Sequence, residues 1–100
     1  MRFEFDSAKD AASQSKHGVE LIRATELDWE SALVWGDDRF NYGESRMIAL
    51  AESDGVVYCV AFVDRADARR IISLRRANRR EVRHYGEHTE ASDAGHAERS

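Results

Sequence analysis

Arg69-Arg70-Ile71-Ile72-Ser73-Leu74-Arg75-Arg76-Ala77-Asn78-Arg79-Arg80-Glu81-Val82-Arg83-His84-Tyr85 opens as an apolar strand and closes as a basic helix. Eight of the chain's fifteen basic residues lie between Asp64 and Tyr85, and only Asp64, Asp67 and Glu81 oppose them. The segment therefore carries about +5 within a chain of net charge −4. An acidic chain that gathers arginine in one place offers that place to a polyanion or an acidic partner. Strand alternation puts Arg70, Ile72, Leu74 and Arg76 on one face and Ile71, Ser73 and Arg75 on the other. Beyond the strand, Arg76, Arg79, Arg80 and Arg83 follow i, i+3, i+4, i+7 spacing and form one helical stripe. A solvated helix face is the plainer reading of such a stripe. Arg70 and Arg75 on the adjoining strand favour an anion instead, because the planar guanidinium fork fits phosphate.

Working outward, Val56–Val63 is apolar on both faces, which suits the central strand of a sheet. Asp54-Gly55 before it is a hairpin turn, and Arg46–Ala51 is the strand on its other side. Residues 36–44 form a polar loop, and Ala32–Trp35 precedes it as a short strand. A helix over about 20–30 carries Leu21, Ala24 and Leu27, with Ile22 and Trp29 widening the buried face. A first helix over 7–16 has a weak stripe of Ala8, Ala11 and Ala12. Asp6 caps its start, and Gly18 supplies the left-handed residue at its end. Phe3-Glu4-Phe5 is a short strand. Asn78 caps a closing helix that runs to about Tyr85. The order is β-α-α-β-β-β-β-α. Short links between consecutive strands imply an α+β domain with an antiparallel β-sheet, two N-terminal helices on one face and a C-terminal helix. The uncovered face is the expected working surface. Residues 1–85 read as one domain. Residues 86–100 lack apolar periodicity and read as a mobile acidic tail.

One hundred residues suit a single small domain with a modest core. No long apolar run predicts a membrane span, and the N-terminus has no apolar signal region. The lone Cys59 excludes an internal disulfide, and four scattered His give no zinc spacing, so no metal or cofactor is expected. Cytoplasmic location is the default expectation.

RNA cleavage without a metal needs four things. A 2′-hydroxyl is deprotonated, it lies in line with phosphorus, the phosphorane charge is stabilised, and the leaving oxygen is protonated. Arginine supplies the stabilisation. His17, Glu44, Lys16 and Tyr85 are the candidates for moving protons. Each has a plainer role: Lys16 and His17 as cations at a helix C-terminus, Glu44 as a partner of Arg46, Tyr85 as a ring packed on the sheet. Ser73 reads as a small sheet residue rather than a nucleophile. His84, His88 and His96 are weak candidates.

Four motifs occur in order: Phe3-Glu4-Phe5-Asp6 with Lys9, Lys16-His17-Gly18-Val19, Gly43-Glu44-Ser45-Arg46, and Ile71–Glu81 followed by Tyr85. Together they resemble the BrnT family of small ribonuclease toxins from type II toxin–antitoxin pairs. The resemblance implies a RelE-like fold and metal-free cleavage of mRNA. It also implies a cognate ribbon-helix-helix antitoxin through which the complex would contact operator DNA. The chain departs from the family pattern at Ser13, where Asn is usual, at Asn78 for Thr, at Ala51 for Gly and at Leu74 for Ala. The Asp-Asp-Pro turn after the second helix is missing. On this reading Arg70, Arg75 and Arg46 hold and stabilise the phosphate. Glu44 or His17 carries protons, and Lys16, Arg76, Arg79, Arg80 and Tyr85 support substrate binding. The alternative is a non-catalytic interaction module that binds an antitoxin and helps operon autorepression. A plain nucleic-acid-binding domain is a third possibility.

Overall fold

The computed structural model describes residues 2–37 and 45–98, with side chains as far as Thr89. In chain order the elements are β1 (Arg2–Phe5), α1 (Ser7–His17), a 3-10 helix (Leu21–Glu26), β2 (Leu33–Gly36), β3 (Arg46–Ser53), β4 (Val56–Arg65), β5 (Ala68–Arg76) and α2 (Arg79–Glu98). The strands form one sheet in the order β1-β5-β4-β3-β2, so β4 is central as its two-faced apolar pattern requires.

Strands β2 to β5 are an antiparallel meander. The β3–β4 hairpin turns on Asp54 (φ 50°) and Gly55 (φ 78°), and two consecutive positive φ values match the right-handed twist of the flanking strands. At the other edge the expected antiparallel sheet needs correcting. β1 lies parallel to β5, with Glu4 opposite Arg70. Both helical segments and three strands separate β1 from β5, and so long a connection lets the chain return in the same direction.

One face of the sheet holds the larger core. Leu21, Ala24, Tyr58, Val60, Phe62, Ile71 and Leu74 are buried there, with Phe3 and Trp29 packed against them. The second helical segment is 3-10 rather than α. Its buried residues, Leu21, Ala24 and then Leu27, recur every third position, which is the 3-10 period, and Ile22 is exposed. On α1 the alanine stripe faces outward and Ser13 is the buried residue. Its hydroxyl reaches the carbonyls of Val19 (2.8 Å) and Leu74 (3.2 Å), and its one proton goes to the nearer. Asp10 accepts from the Leu21 N–H at 2.8 Å. Polar bonds, rather than an apolar stripe, seat this helix on the sheet. Asp6 accepts from the N–H groups of Ala8 and Lys9, and Gly18 closes the helix at φ 68°.

The other face is covered in part by α2. Tyr85 packs there with Ile48, Leu50, Cys59 and Ala61. The helix starts with a reciprocal pair of bonds: Asn78 Oδ1 accepts from the Glu81 N–H, and Glu81 Oε1 accepts from the Asn78 N–H, at 2.9 and 2.8 Å. It continues past Tyr85, where the sequence suggested an end, through residues 86–98. Arg76 belongs to β5 and not to the helical stripe. No helix among the described residues is long and apolar enough to cross a membrane.

A β-bulge decides which arginines share a face. Ala61 pairs with Ser73 but Phe62 pairs with Ile71, which leaves Ile72 as an extra residue in β5. Simple alternation puts Arg70 and Arg75 on opposite faces, and one extra residue between them reverses that. Arg69, Ile71, Leu74 and Arg76 point to the large core side. Arg70, Ser73 and Arg75 point to the α2 side.

Candidate functional site

A hollow of roughly 400 Å³ opens on the α2 face of the sheet, lined by Trp35, Asp37, Arg46, Ile48, Cys59, Ala61, Ser73, Arg75 and Glu81. Its floor follows from the pairing: Trp35 opposes Ile48, Cys59 opposes Arg75, and Ala61 opposes Ser73. Small residues at Cys59, Ala61 and Ser73 leave the space, and the longer Arg46, Arg75 and Glu81 wall it.

Arg75 is held in a two-point pair with Glu81, at 2.7 and 2.9 Å, and its Nη1 also reaches the Arg76 carbonyl at 3.3 Å. Its Nε–H donates to no described residue, so the other edge of the guanidinium can take an anion. The hydrogen bond that Arg75 donates to Glu81 raises the Arg75 pKa further above its ordinary value, and Arg75 remains charged at any working pH. The same hydrogen bond, followed by the Asn78 N–H against a burial cost, holds the Glu81 carboxyl below the usual carboxylate range. Glu81 is therefore a fixed negative charge that orients Arg75 and a poor proton acceptor. The capping bonds tie this pair to the start of α2, so the helix end and the site are one unit. Asp37, buried at the mouth of the hollow, donates its backbone N–H to the Arg46 carbonyl at 2.8 Å.

The sequence-derived candidates divide. Arg46 and Arg75 meet in this hollow. Arg70 shares its face but stands toward the β1 edge, 3.8 Å from Glu4 and 3.5 Å from Asp6. His17 and Arg76 line a different hollow of about 490 Å³ with Gly18, Val19, Glu20, Arg23 and Tyr58, on the large-core side of the sheet. Lys16 is exposed beside His17. Arg79 and Arg80 are exposed on the first turn of α2. Tyr85 is 5% exposed and serves the core, and burial raises its hydroxyl pKa. Glu44 lies outside the described residues. Among the described residues no group of three or more His, Cys, Asp or Glu is placed to hold a metal ion.

Alternation and charge counting missed Trp35, Asp37 and Glu81. Glu81 had a readable signal: Asn78-x-x-Glu81 is the spacing of a reciprocal helix cap. Trp35 and Asp37 had none, because the hollow closes only when β2 pairs with β3.

Residues 5–81 match the model of a family described as the ribonuclease toxin BrnT of type II toxin–antitoxin systems. The chain belongs to the BrnT family. No individual curated protein matches it. In this BrnT-family chain the matched span ends at Glu81, so it takes in the Arg46, Arg75 and Glu81 walls of the hollow and leaves most of α2 beyond it.

Proposed function

We propose that this chain is an endoribonuclease that cuts mRNA without a metal ion, at the Arg46–Arg75 hollow, on a RelE-like scaffold in the cytoplasm. A cognate ribbon-helix-helix antitoxin silences it, and the pair reaches operator DNA through the antitoxin. The observation that carries this reading is the convergence of Arg46 and Arg75 on one solvent-open hollow beside Asp37 and Ser73. A scissile phosphate seated between two guanidinium groups gains charge stabilisation as the phosphorane forms. The 2′-oxygen bonds to phosphorus, the bond to the 5′-oxygen breaks, one proton leaves the 2′-hydroxyl and one reaches the leaving oxygen. The products are a 2′,3′-cyclic phosphate and a 5′-hydroxyl. Glu44, two positions before Arg46 in the chain, and Asp37 in the hollow are the candidates for the proton acceptor. Arg70, with Arg76, Arg79, Arg80, Lys16 and His17, would act on the strand further from the cut.

The test is incubation of the purified chain with RNA in excess EDTA. Fragments with cyclic-phosphate and 5′-hydroxyl ends, absent for an Arg46→Ala, Arg75→Ala double variant that still folds, are the expected result. Intact RNA together with tight antitoxin binding would replace this reading with the non-catalytic module.

A further inference from the structure

Trp35 is an anomaly on this molecule. Its counterpart Trp29 is built into the core: the ring packs against Phe3 and Phe62 at 5.9 and 5.3 Å, and its indole N–H donates to the Ala24 carbonyl at 2.9 Å. Trp35 stands on the edge strand β2, is 39% exposed, and donates its N–H to no described residue. It lines two hollows at once. One is the Arg46–Arg75 hollow. The second, about 410 Å³, adjoins it and runs between Trp35 and α2, walled by Leu50, Arg80, Glu81, Arg83, His84 and Glu87. Its lining is largely apolar, because the long charged side chains of α2 present their stems there.

We propose that Trp35 is a stacking platform for a nucleobase, and that the slot between it and α2 holds the base next to the phosphate bound at Arg46 and Arg75. The inference rests on the ribonuclease reading and deepens it by naming a base subsite. Three features single out a nucleic-acid strand as the occupant. The aromatic face and the anion-binding forks line neighbouring hollows that share Trp35 and Glu81, as a base and its own phosphate would need. The slot is apolar along its walls, and its charged residues balance, Arg80 and Arg83 against Glu81 and Glu87, so it suits an uncharged base while Arg46 and Arg75 in the neighbouring hollow suit the phosphate. Among the described residues the partly exposed Trp35 ring stacks on no other ring and its N–H has no hydrogen-bond acceptor. Stacking on an indole is tolerant of base identity, so the subsite adds grip and register more than sequence choice.

The test uses the full chain and short 2′-O-methylated RNA oligonucleotides, which bind but cannot be cut. Each is compared with a copy carrying one abasic position. In the wild type, binding should quench tryptophan fluorescence, and one abasic position, near the site of cutting, should weaken binding more than the others. Trp35→Phe should lose the quench and keep most of the affinity. Trp35→Ala should bind roughly tenfold to a hundredfold more weakly. Equal affinity for every abasic copy would overturn the proposal without any appeal to how a variant folds. Unchanged RNA affinity in Trp35→Ala together with weakened antitoxin binding would also overturn it, making the slot a protein-docking surface. The two readings fail separately: a chain that binds RNA through Trp35 but never cuts it keeps the subsite and loses the ribonuclease. A chain that cuts RNA with no dependence on Trp35 does the reverse.

Discussion

Arg69 and Arg75 stand on the same strand and face opposite sides of the sheet. Arg69 is closed in. Its guanidinium pairs with Asp64 at 2.7 and 2.9 Å and lies 4.3 Å from the Phe62 ring and 4.6 Å from the Trp29 ring. Arg75 is also paired at two points, but to Glu81, and it stays beside an open hollow with Arg46. The two side chains have the same chemistry, and what surrounds each separates structure from candidate function. On the large-core face, aromatic rings fill the space around the cation. On the α2 face, Cys59, Ala61 and Ser73 are too small to do so. Charge clustering in the sequence therefore overstates the site: part of the arginine count holds the fold together.

The sharpest way to break this comparison is to remove each cation and read two quantities. Arg75→Ala is expected to lower RNA cleavage by roughly a hundredfold to a thousandfold, the scale of losing one donor that stabilises the developing charge. Arg69→Ala is expected to cost about 2 kcal/mol of stability through the lost ring contacts and ion pair, and to leave cleavage by the folded fraction little changed. Thermal melting and a single-turnover cleavage assay separate the two. If Arg69→Ala loses cleavage at full stability, the assignment of faces fails.

Much of the architecture was legible beforehand, and the gaps have physical causes. Period-two alternation, Asp54-Gly55 and the caps Asp6, Gly18 and Asn78 are local signals, and the elements stand where they point. Parity along β5 was not legible, because a single extra residue at Ile72 reverses every side chain beyond it and leaves no mark in composition. The joining of β1 to β5 was hidden for the same kind of reason, since the pairing of Glu4 with Arg70 is made between residues far apart in sequence. Of the residues lining the candidate hollow, Arg46 and Arg75 could be named from charge and from resemblance. Trp35, Asp37 and the second role of Glu81 come from strand pairing and helix docking. His17 was a reasonable proton carrier in sequence, but the structure sets it behind the sheet from Arg75.

Glu81 sharpens the comparison at lower amplitude. Its carboxyl is held below the ordinary 4.5 mainly by Arg75. A lowered folded value means that its contribution to stability is present above the unfolded value and is lost as pH falls through the folded one. Gln keeps the helix-capping geometry and removes the charge. The melting-temperature gap between wild type and Glu81→Gln should be full near neutrality and should close below about pH 4.5. A gap that stays constant down to pH 3 would mean that the Arg75–Glu81 charge pair contributes nothing. Asn78→Ala breaks the same cap from its other end and is expected to cost about 1 kcal/mol, or roughly 4–8 °C in melting temperature for a domain this small.

The smallest expected effect concerns how the closed-in arginine is held. Ala66, in the β4–β5 turn between Asp64 and Arg69, has φ 47°, a left-handed conformation that costs an L-residue with a Cβ. Glycine relieves that cost but gives the unfolded chain more freedom to lose. The two terms nearly cancel, so Ala66→Gly should move stability by only a few tenths of a kcal/mol, in the stabilising direction if the left-handed penalty is the larger. The Asp64–Arg69 pair should survive, because the β4–β5 register and the Trp29 and Phe62 rings fix it as well as the turn does. A loss as large as that of Arg69→Ala, seen by chemical denaturation, would show instead that the rigid turn positions Arg69 and that the rings only follow.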